Sequence, residues 1–328
     1  MTDRAPAALM QDAAAVLRRA GVPSPEYDAR ALLAHVFGVP VAGLLTADRV
    51  DDDAATAYRT LVGQRADRIP LQHLTGRAGF RRLDLAVGPG VFIPRPETEV
   101  LVDWVLRQVA GIGAPVVVDL CSGSGALAFA IADEVQRARV YAVELDASAV
   151  AWSRRNLDEL SGRDPSLAER VRIIPADVAT ALPELDGTVD LVVANPPYIP
   201  LGAHTEPEVE RHDPALALWG GSDGLDVIRV VRDTAARLLR DGGSVAIEHA
   251  DVQGATVPAL FAVRPAATSG SPAARSAGGM ARCHSAWRSV QDHPDLAGRP
   301  RFTTAVRAVH TVHSAAAAPS SISEGRRR

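Results

Sequence analysis

Val116-Val117-Val118-Asp119-Leu120-Cys121-Ser122-Gly123-Ser124-Gly125 reads as a buried strand that runs into a two-glycine turn. An apolar helix from Ala126 to about Glu134 follows it. An unbroken apolar run suits a strand covered on both faces. Gly123 and Gly125 let the backbone turn sharply and approach a ligand with no Cβ in the way. Outward from this unit the pattern repeats. Strands are expected at 139–144, 171–177, 189–194 and 244–248, with helices at 147–160, 225–239 and 251–263. Such alternation predicts an α/β fold with a doubly wound parallel sheet.

The turn suggests a nucleotide-like cofactor, and the next strand sharpens that. Glu144 falls about twenty residues on, where folds of this kind place a carboxylate on ribose hydroxyls. Asp177, at the end of the third strand, suits an adenine amino group or equally an ordinary turn aspartate. A dinucleotide site calls for two phosphates on a helix N-terminus and usually a third glycine. Here Ala126, Leu127 and Ala128 follow Gly125. A cofactor with an adenosine half and no phosphate fits better, and S-adenosylmethionine is such a molecule. The candidate cofactor contacts are Asp119, Cys121, Gly123, Gly125, Glu144, Asp177 and Asn195.

The fourth strand ends in Asn195-Pro196-Pro197-Tyr198. Two prolines cannot continue a strand inside a sheet, so the chain leaves it there. The leaving segment offers an amide, carbonyls and an aromatic ring at the carboxyl end of a strand, where open α/β sheets bind ligands. Those groups suit a planar, nitrogen-bearing acceptor. An amide or aromatic-amine nitrogen is a poor nucleophile because its lone pair is delocalised. The Asn195 side-chain carbonyl and the Pro196 backbone carbonyl can accept its hydrogens and hold it in line with a methyl donor. Tyr198 offers a stacking surface. Asn195, Pro196, Pro197 and Tyr198 are therefore the candidate catalytic residues.

Residues 1–75 read as a small helical bundle, with amphipathic segments near 7–20, 27–37 and 51–65 and stops at Gly21 and Gly38. The acidic Asp51-Asp52-Asp53 suits a helix N-terminus. This bundle is a structural cap or a docking surface for a macromolecular substrate. Residues 76–110 form a connector with a short hairpin at 79–87 and a helix from Val100 to Ala110. Between them lies Pro94-Arg95-Pro96-Glu97-Thr98-Glu99, a proline-bound turn that leads into the helix. The α/β domain is expected over 111–310. Within it, 264–286 is Pro, Ala, Ser, Gly and Arg without periodicity and reads as an irregular insertion. Strand-like runs resume at 287–290 and 301–306. Residues 311–328 are low-complexity and expected to be disordered.

Composition bounds the partners. The 35 basic residues, all Arg, face 39 acidic ones, for a formal charge of −4. No basic stripe marks a DNA-binding face. Cys121 and Cys283 are the only cysteines, which suits a reducing compartment. There is no signal-peptide pattern and no apolar run long enough for a membrane span. A cytoplasmic, membrane-free protein is expected, with no metal site.

At this point the chain resembles the release-factor glutamine-N5 methyltransferase family (PrmC/HemK). The resemblance rests on Pro94 to Glu99 followed by Asn195-Pro196-Pro197-Tyr198-Ile199-Pro200, in that order. It is supported by Pro70-Leu71-Gln72 with Thr75-Gly76, by Gly220-Gly221 with Asp223-Gly224-Leu225, and by Asp295 to Arg301 near the C-terminus. It implies a Rossmann-like class I S-adenosylmethionine-dependent methyltransferase domain preceded by the helical bundle. It implies a glutamine acceptor in the Gly-Gly-Gln loop of bacterial peptide chain release factors, with the bundle contacting that partner. It places Glu144 on the ribose, Asp177 near the adenine, and Asn195 to Tyr198 around the glutamine. Arg95, Glu97 and Glu99 would border the substrate side of the same pocket.

Three departures stand out. His73 and Asp213-Pro214 replace the family's usual Tyr and Glu-Pro, and neither is expected to touch the chemistry. The insertion at 264–286 leaves the edge hairpin of the sheet in question. Two other readings compete. One is a nucleic-acid amino (adenine-N6) methyltransferase, since the same four residues suit any planar amino group, but flipped bases need a basic groove. The other is a protein that binds an adenosine ligand without turning it over.

Overall fold

The computed structural model describes residues 5–46, 49–262 and 286–308. The bundle comes first. Helices α1 (Pro6–Arg19), α2 (Pro25–Phe37) and α3 (Asp52–Ala66) pack around a core of their own, with Leu17, Leu32, Leu33 and Tyr58 fully buried. Local chemistry sets the ends. Gly38 closes α2 in a left-handed conformation, and the Asp51 carboxylate caps α3 by accepting from Ala54 N at 2.7 Å. Inside, the Tyr58 hydroxyl donates to Ala29 O at 2.9 Å, and Arg65 pairs with Asp28 at 2.8 Å, both side chains buried. The short α4 (Leu71–Thr75) leads to the antiparallel hairpin β1 (Arg77–Phe80) and β2 (Leu83–Ala86), then a turn of 3-10 helix at Pro96–Thr98, then α5 (Glu99–Val109).

The sheet follows. Its strands are β3 (Val116–Leu120), β4 (Arg139–Glu144), β5 (Val171–Pro175), β6 (Val189–Ala194) and β7 (Leu239–Glu248), completed by a C-terminal hairpin of β8 (Trp287–Pro294) and β9 (Pro300–Arg307). The order is β5-β4-β3-β6-β7-β9-β8. The first five strands run parallel, while β9 is antiparallel to β7 and to β8. Helices α6 (Ala126–Glu134), α7 (Ala147–Ser161), α8 (Ser166–Arg170), α9 (Pro207–His212), α10 (Ala215–Leu218), α11 (Asp226–Leu238) and α12 (Thr256–Ala262) connect them. One face of the sheet packs against α5 and α6, around Phe129 and Ile131. The other packs against α11 and α12, around Ile228 and Phe261. Sandwiching between two helical layers is why the strands read as continuous apolar runs. The chain builds outward from β3 to β4 and β5, then returns to β6 on the other side. The strand order therefore reverses at β3/β6, where such sheets open a crevice.

Three expectations need correction. The fifth strand starts at Leu239, not at Ser244. Val189 pairs with Leu239 and Leu191 with Ser244, so Arg240 to Gly243 are a bulge inside the strand. A Cβ on Gly243 would lie 3.0 Å from the carbonyls of Arg240 and Val189, which is why that turn-like Gly pair can sit within a sheet. The helix expected at 251–263 divides into a 3-10 turn, Asp251–Gln253, and α12. The third strand ends at Pro175, which leaves Asp177 in the following turn. The edge hairpin forms, with Gln291 opposite Thr304 and His293 opposite Phe302. Residues 263–285, and with them nearly all of the expected insertion and Cys283, lie outside the described residues, as does the tail at 311–328.

Candidate active site

The reversal at β3/β6 brings the two diagnostic turns together. Leu120 and Ala194, the last residues of neighbouring strands, are paired in register, so the glycine turn and Asn195 leave the sheet side by side. Between them lies a cavity of about 450 Å³. That size suits a small-molecule cofactor with one reacting group. Asp119, Cys121, Gly123, Glu144 and Asp177 line one end, and Arg95 with Asn195 to Tyr198 lines the other.

At the glycine-turn end, Glu144 accepts from Gly123 N and from Asp146 N, both at 2.8 Å. The second strand thus holds the first turn in shape. Asp119 is fully buried. Its Oδ2 accepts from Ala128 N at 3.2 Å, while Oδ1 has no partner, and Ser122 Oγ is likewise buried and unpaired. Burial, with Glu144 nearby, pushes the Asp119 carboxyl well above the usual range. Burial, with the carboxylates of Glu144, Asp119 and Asp177, likewise raises the Cys121 thiol, so Cys121 is a neutral wall and not a nucleophile. Cys121 holds a φ of 64°, a strained value for a residue with a Cβ. A Cβ on Gly123 would project into open space. Gly125 does not line the cavity. Its φ is 84° and a Cβ there would run into the Phe129 ring, so it shapes the start of α6.

At the other end, Asn195 Nδ2 donates to Thr98 Oγ1 at 3.2 Å. That bond engages the nitrogen side of the amide, and Asn195 lines the cavity. The Tyr198 hydroxyl points to Glu248 Oε1 at 3.4 Å, and the Tyr198 carbonyl accepts from Gln253 Nε2 at 3.2 Å. The loop is also backed by glycine. A Cβ on Gly220 would lie 2.6 Å from Pro197 O, and one on Gly224 would collide with Tyr198 O. These close approaches account for Gly220 and Gly224 of the motif.

Arg95 lies 4.8 Å over the Phe92 ring and pairs with Asp213 at 2.6 Å. Asp213, expected to be remote from the chemistry, is thus the partner of a cavity residue, and burial raises its carboxyl to about 6 although Arg95 opposes the shift. Pro214 lines the same cavity. Glu97 and Glu99, by contrast, do not line it. Glu97 is exposed, and Glu99 accepts from Arg81 N at 2.9 Å, which ties the hairpin turn to α5. Three contributors escaped the sequence reading. Thr98 and Glu248 hold the Asn195 loop, and Asn156 bridges Ala86 of the hairpin to Ser124 of the glycine turn. Only Thr98, inside the Pro94–Glu99 motif, carried a sequence signal.

Arg95 also borders a second cavity of about 350 Å³ between the bundle and the segment after Tyr198. Across it, Glu208 of α9 is held by Arg65 at 2.9 Å and by both arms of Arg68. Among the described residues, no cluster of three or more His, Cys, Asp or Glu side chains is placed to hold a metal ion, and no helix is long and apolar enough to cross a membrane.

Comparison with known proteins bears on the same two regions. The family models for the PrmC N-terminal domain and the methyltransferase small domain match residues 8–76 and 95–211. A release factor glutamine methyltransferase of Streptomyces coelicolor is 48% identical over 297 residues, covering 89% of this chain and 95% of the relative. The chain belongs to the release factor glutamine methyltransferase family. Its relative of the same name in Mycolicibacterium smegmatis is 46% identical over 301 residues, covering 91% of this chain and 96% of that one. A 4-amino-L-phenylalanine/4-methylamino-L-phenylalanine methyltransferase of Streptomyces pristinaespiralis is 42% identical over 273 residues, covering 80% and 89%. As a member of this family the protein is a methyltransferase with S-adenosylmethionine as cofactor. The site fits that molecule. Asp119 Oδ1 and Ser122 Oγ are buried acceptors in need of a partner, Gly123 leaves room above the turn, and the third glycine of a phosphate cradle is absent.

Proposed function

We propose that this protein methylates the side-chain N5 of the glutamine in the Gly-Gly-Gln loop of peptide chain release factors, in the cytoplasm. S-adenosylmethionine supplies an electrophilic methyl on a sulfonium. Asp119, Gly123, Glu144 and Asp177 bind and orient it from the glycine-turn end. The observation that supports the reading is that Asn195 lines the cavity with its Nδ2 engaged by Thr98, which leaves Oδ1 to accept from the acceptor amide. Asn195 Oδ1 and the Pro196 carbonyl accept the two hydrogens of the acceptor amide and aim its nitrogen at the methyl. The new N–C bond forms as the S–C bond breaks, and the nitrogen then releases a proton. Tyr198, held by Glu248, gives the planar amide a surface. Positioning of this kind contributes up to roughly 7–11 kcal/mol in ideal cases. The bundle and the second cavity, joined at Arg95, offer the protein partner a surface beside the reacting group.

The test is transfer of labelled methyl to a release factor and to the same factor with its loop Gln changed to Ala. Label in the first alone is the expected result, and equal label in both refutes the reading. The arylamine relative motivates a second acceptor class, because an aromatic amine is also a planar NH₂ group. Methylation of 4-amino-L-phenylalanine in preference to the release factor would favour it. Nucleic-acid oligomers complete the panel, and no transfer to them is expected.

A further inference from the structure

The chain leaves the Asn195 loop at Ile199 and comes back to it at Trp219. Ile199 pairs with Trp219, with Ile199 N donating to Leu218 O and Gly220 N to Ile199 O, both at 2.9 Å. Residues 200–218 therefore form a strap closed at its base. On the return leg, Pro214, Leu216, Ala217 and Leu218 line the first cavity, as does Val209 of α9. Val209 and Arg95 also line the second cavity, so these two side chains are a wall common to both. Asp213 of the strap holds Arg95 in that wall at 2.6 Å.

Glu208, next to Val209, does not line the first cavity. It ties the strap to the bundle. Its carboxylate accepts from Arg65 Nη2 at 2.9 Å, from Arg68 Nε at 2.7 Å and from Arg68 Nη2 at 2.5 Å. The two arms of Arg68 take different oxygens, the forked geometry in which a guanidinium holds a carboxylate most firmly. Both arginines are fixed from behind. Arg65 is buried, with Nε on Asp28 at 2.8 Å and Nη1 on Ile69 O at 3.3 Å. Arg68 Nη1 donates to Gly21 O at 3.1 Å, and its backbone holds a φ of 70°. A residue with a Cβ stays in that region only where its surroundings fix it. The three side chains are 16% exposed or less, so water screens this link far less than an exposed ion pair. We infer that Glu208 is a positioning residue for the acceptor: through it the bundle holds Val209, and beyond it the Asp213–Arg95 pair, as a fixed wall beside the Asn195 loop. The role rests on the proposed reading that the acceptor approaches Asn195 along this wall. The bundle is then a structural part of the acceptor mouth as well as a surface beside it.

Glu208→Ala and Arg68→Met in the full-length protein test the link. Hydrogen exchange of the strap is read by mass spectrometry on peptides spanning 206–214, which carry the Glu210 and Asp213 amides bonded to Glu206 O and Val209 O. Both variants should speed that exchange about tenfold or more, as expected for a lost charge-assisted bond, and leave β6 unmoved. KM for the release factor should rise about tenfold, with kcat changed about threefold at most and the affinity for S-adenosylmethionine kept. The double variant should match Glu208→Ala, because both changes cut one link. Glu26→Ala removes an exposed ion pair with Arg18 in the same bundle and should alter neither reading. A Glu208 that served only the stability of the bundle would lower the melting temperature and leave KM where it was. Unchanged KM or unchanged strap exchange overturns the inference, as does a double variant whose effects multiply. If the wild type methylates 4-amino-L-phenylalanine in place of the release factor, KM for that amine is compared instead. A rise there upholds the role of Glu208 while the proposed acceptor falls, and a constant value overturns the role.

Discussion

At the glycine-turn end of the cavity, Asp119 Oδ1 and Ser122 Oγ are buried without partners, whereas at the other end the cavity-lining groups are engaged, Asn195 Nδ2 with Thr98 and the Tyr198 hydroxyl with Glu248. The unpaired atom there, Glu248 Oε2, belongs to a residue behind the wall. The difference follows from what each end must do. Unpaired buried acceptors cost about 1–3 kcal/mol each, and a ligand that pairs with them recovers that cost as affinity. An orienting group gains nothing from such hunger. It must hold one direction before the acceptor arrives, and bonds within the protein supply that. Under the proposed function, one end of the cavity serves binding and the other aim.

The sharpest way to break this contrast is Asn195→Ala. It should lower turnover about a hundredfold or more, on the order of 2.7 kcal/mol, and leave affinity for S-adenosylmethionine near normal. Titration calorimetry and a single-turnover assay separate the two, and lost donor binding would contradict the division of labour. Gly224→Ala attacks the same end from behind, because the new methyl meets Tyr198 O at a φ of 74°. It should cost about 1–3 kcal/mol in thermal stability and reduce turnover more than donor affinity.

Asp119→Asn probes the opposite end. It should weaken donor binding roughly tenfold. Because burial disfavours the Asp119 charge, the same change should leave the melting temperature of the donor-free protein equal or higher. A fall in that temperature would show Asp119 to be structural. The smallest effect concerns Asp213. Its carboxyl titrates at about 6 in the folded protein against a reference of 3.8, so the folded state holds this proton more tightly than the unfolded one. Its contribution to stability is present at low pH and is lost as the pH rises from about 4 through about 6. Asp213→Asn should flatten that part of the stability profile, as read by urea denaturation at stepped pH.

The parts legible in the sequence share a cause. Gly123, Gly125, Pro196, Pro197, Gly38 and Asp51 act on the backbone within a few residues of themselves, through φ, ring closure or a local cap. The alternation of apolar runs with helical periodicity likewise needs no knowledge of distant contacts, and it yielded the parallel sheet, the cofactor turn and the Asn195 loop. The bulge at Arg240–Gly243 falls in the gap between the helix expected to end at 239 and the strand expected to start at 244, because a Gly-Gly pair has the same local signature in a turn and in a bulge. Only pairing with Val189 and Leu191 distinguishes them.

Glu97, Glu99, Asp213, Thr98 and Glu248 mark where local reading ended. Proximity to a motif placed Glu97 and Glu99 in the site, yet one faces solvent and the other serves the hairpin. Asn195 meets Thr98 across 97 residues of chain, Arg95 meets Asp213 across 118, and Tyr198 meets Glu248 across 50. Side-chain bonds of this range are set by strand order and by which helix covers which face. By itself the sequence determined the chain's class, its glycine turn and the Asn195 loop that lines the cavity. The tertiary structure alone decided what holds those residues in aim, because a hydroxyl or carboxylate carries no sign of its partner until the sheet brings the two together.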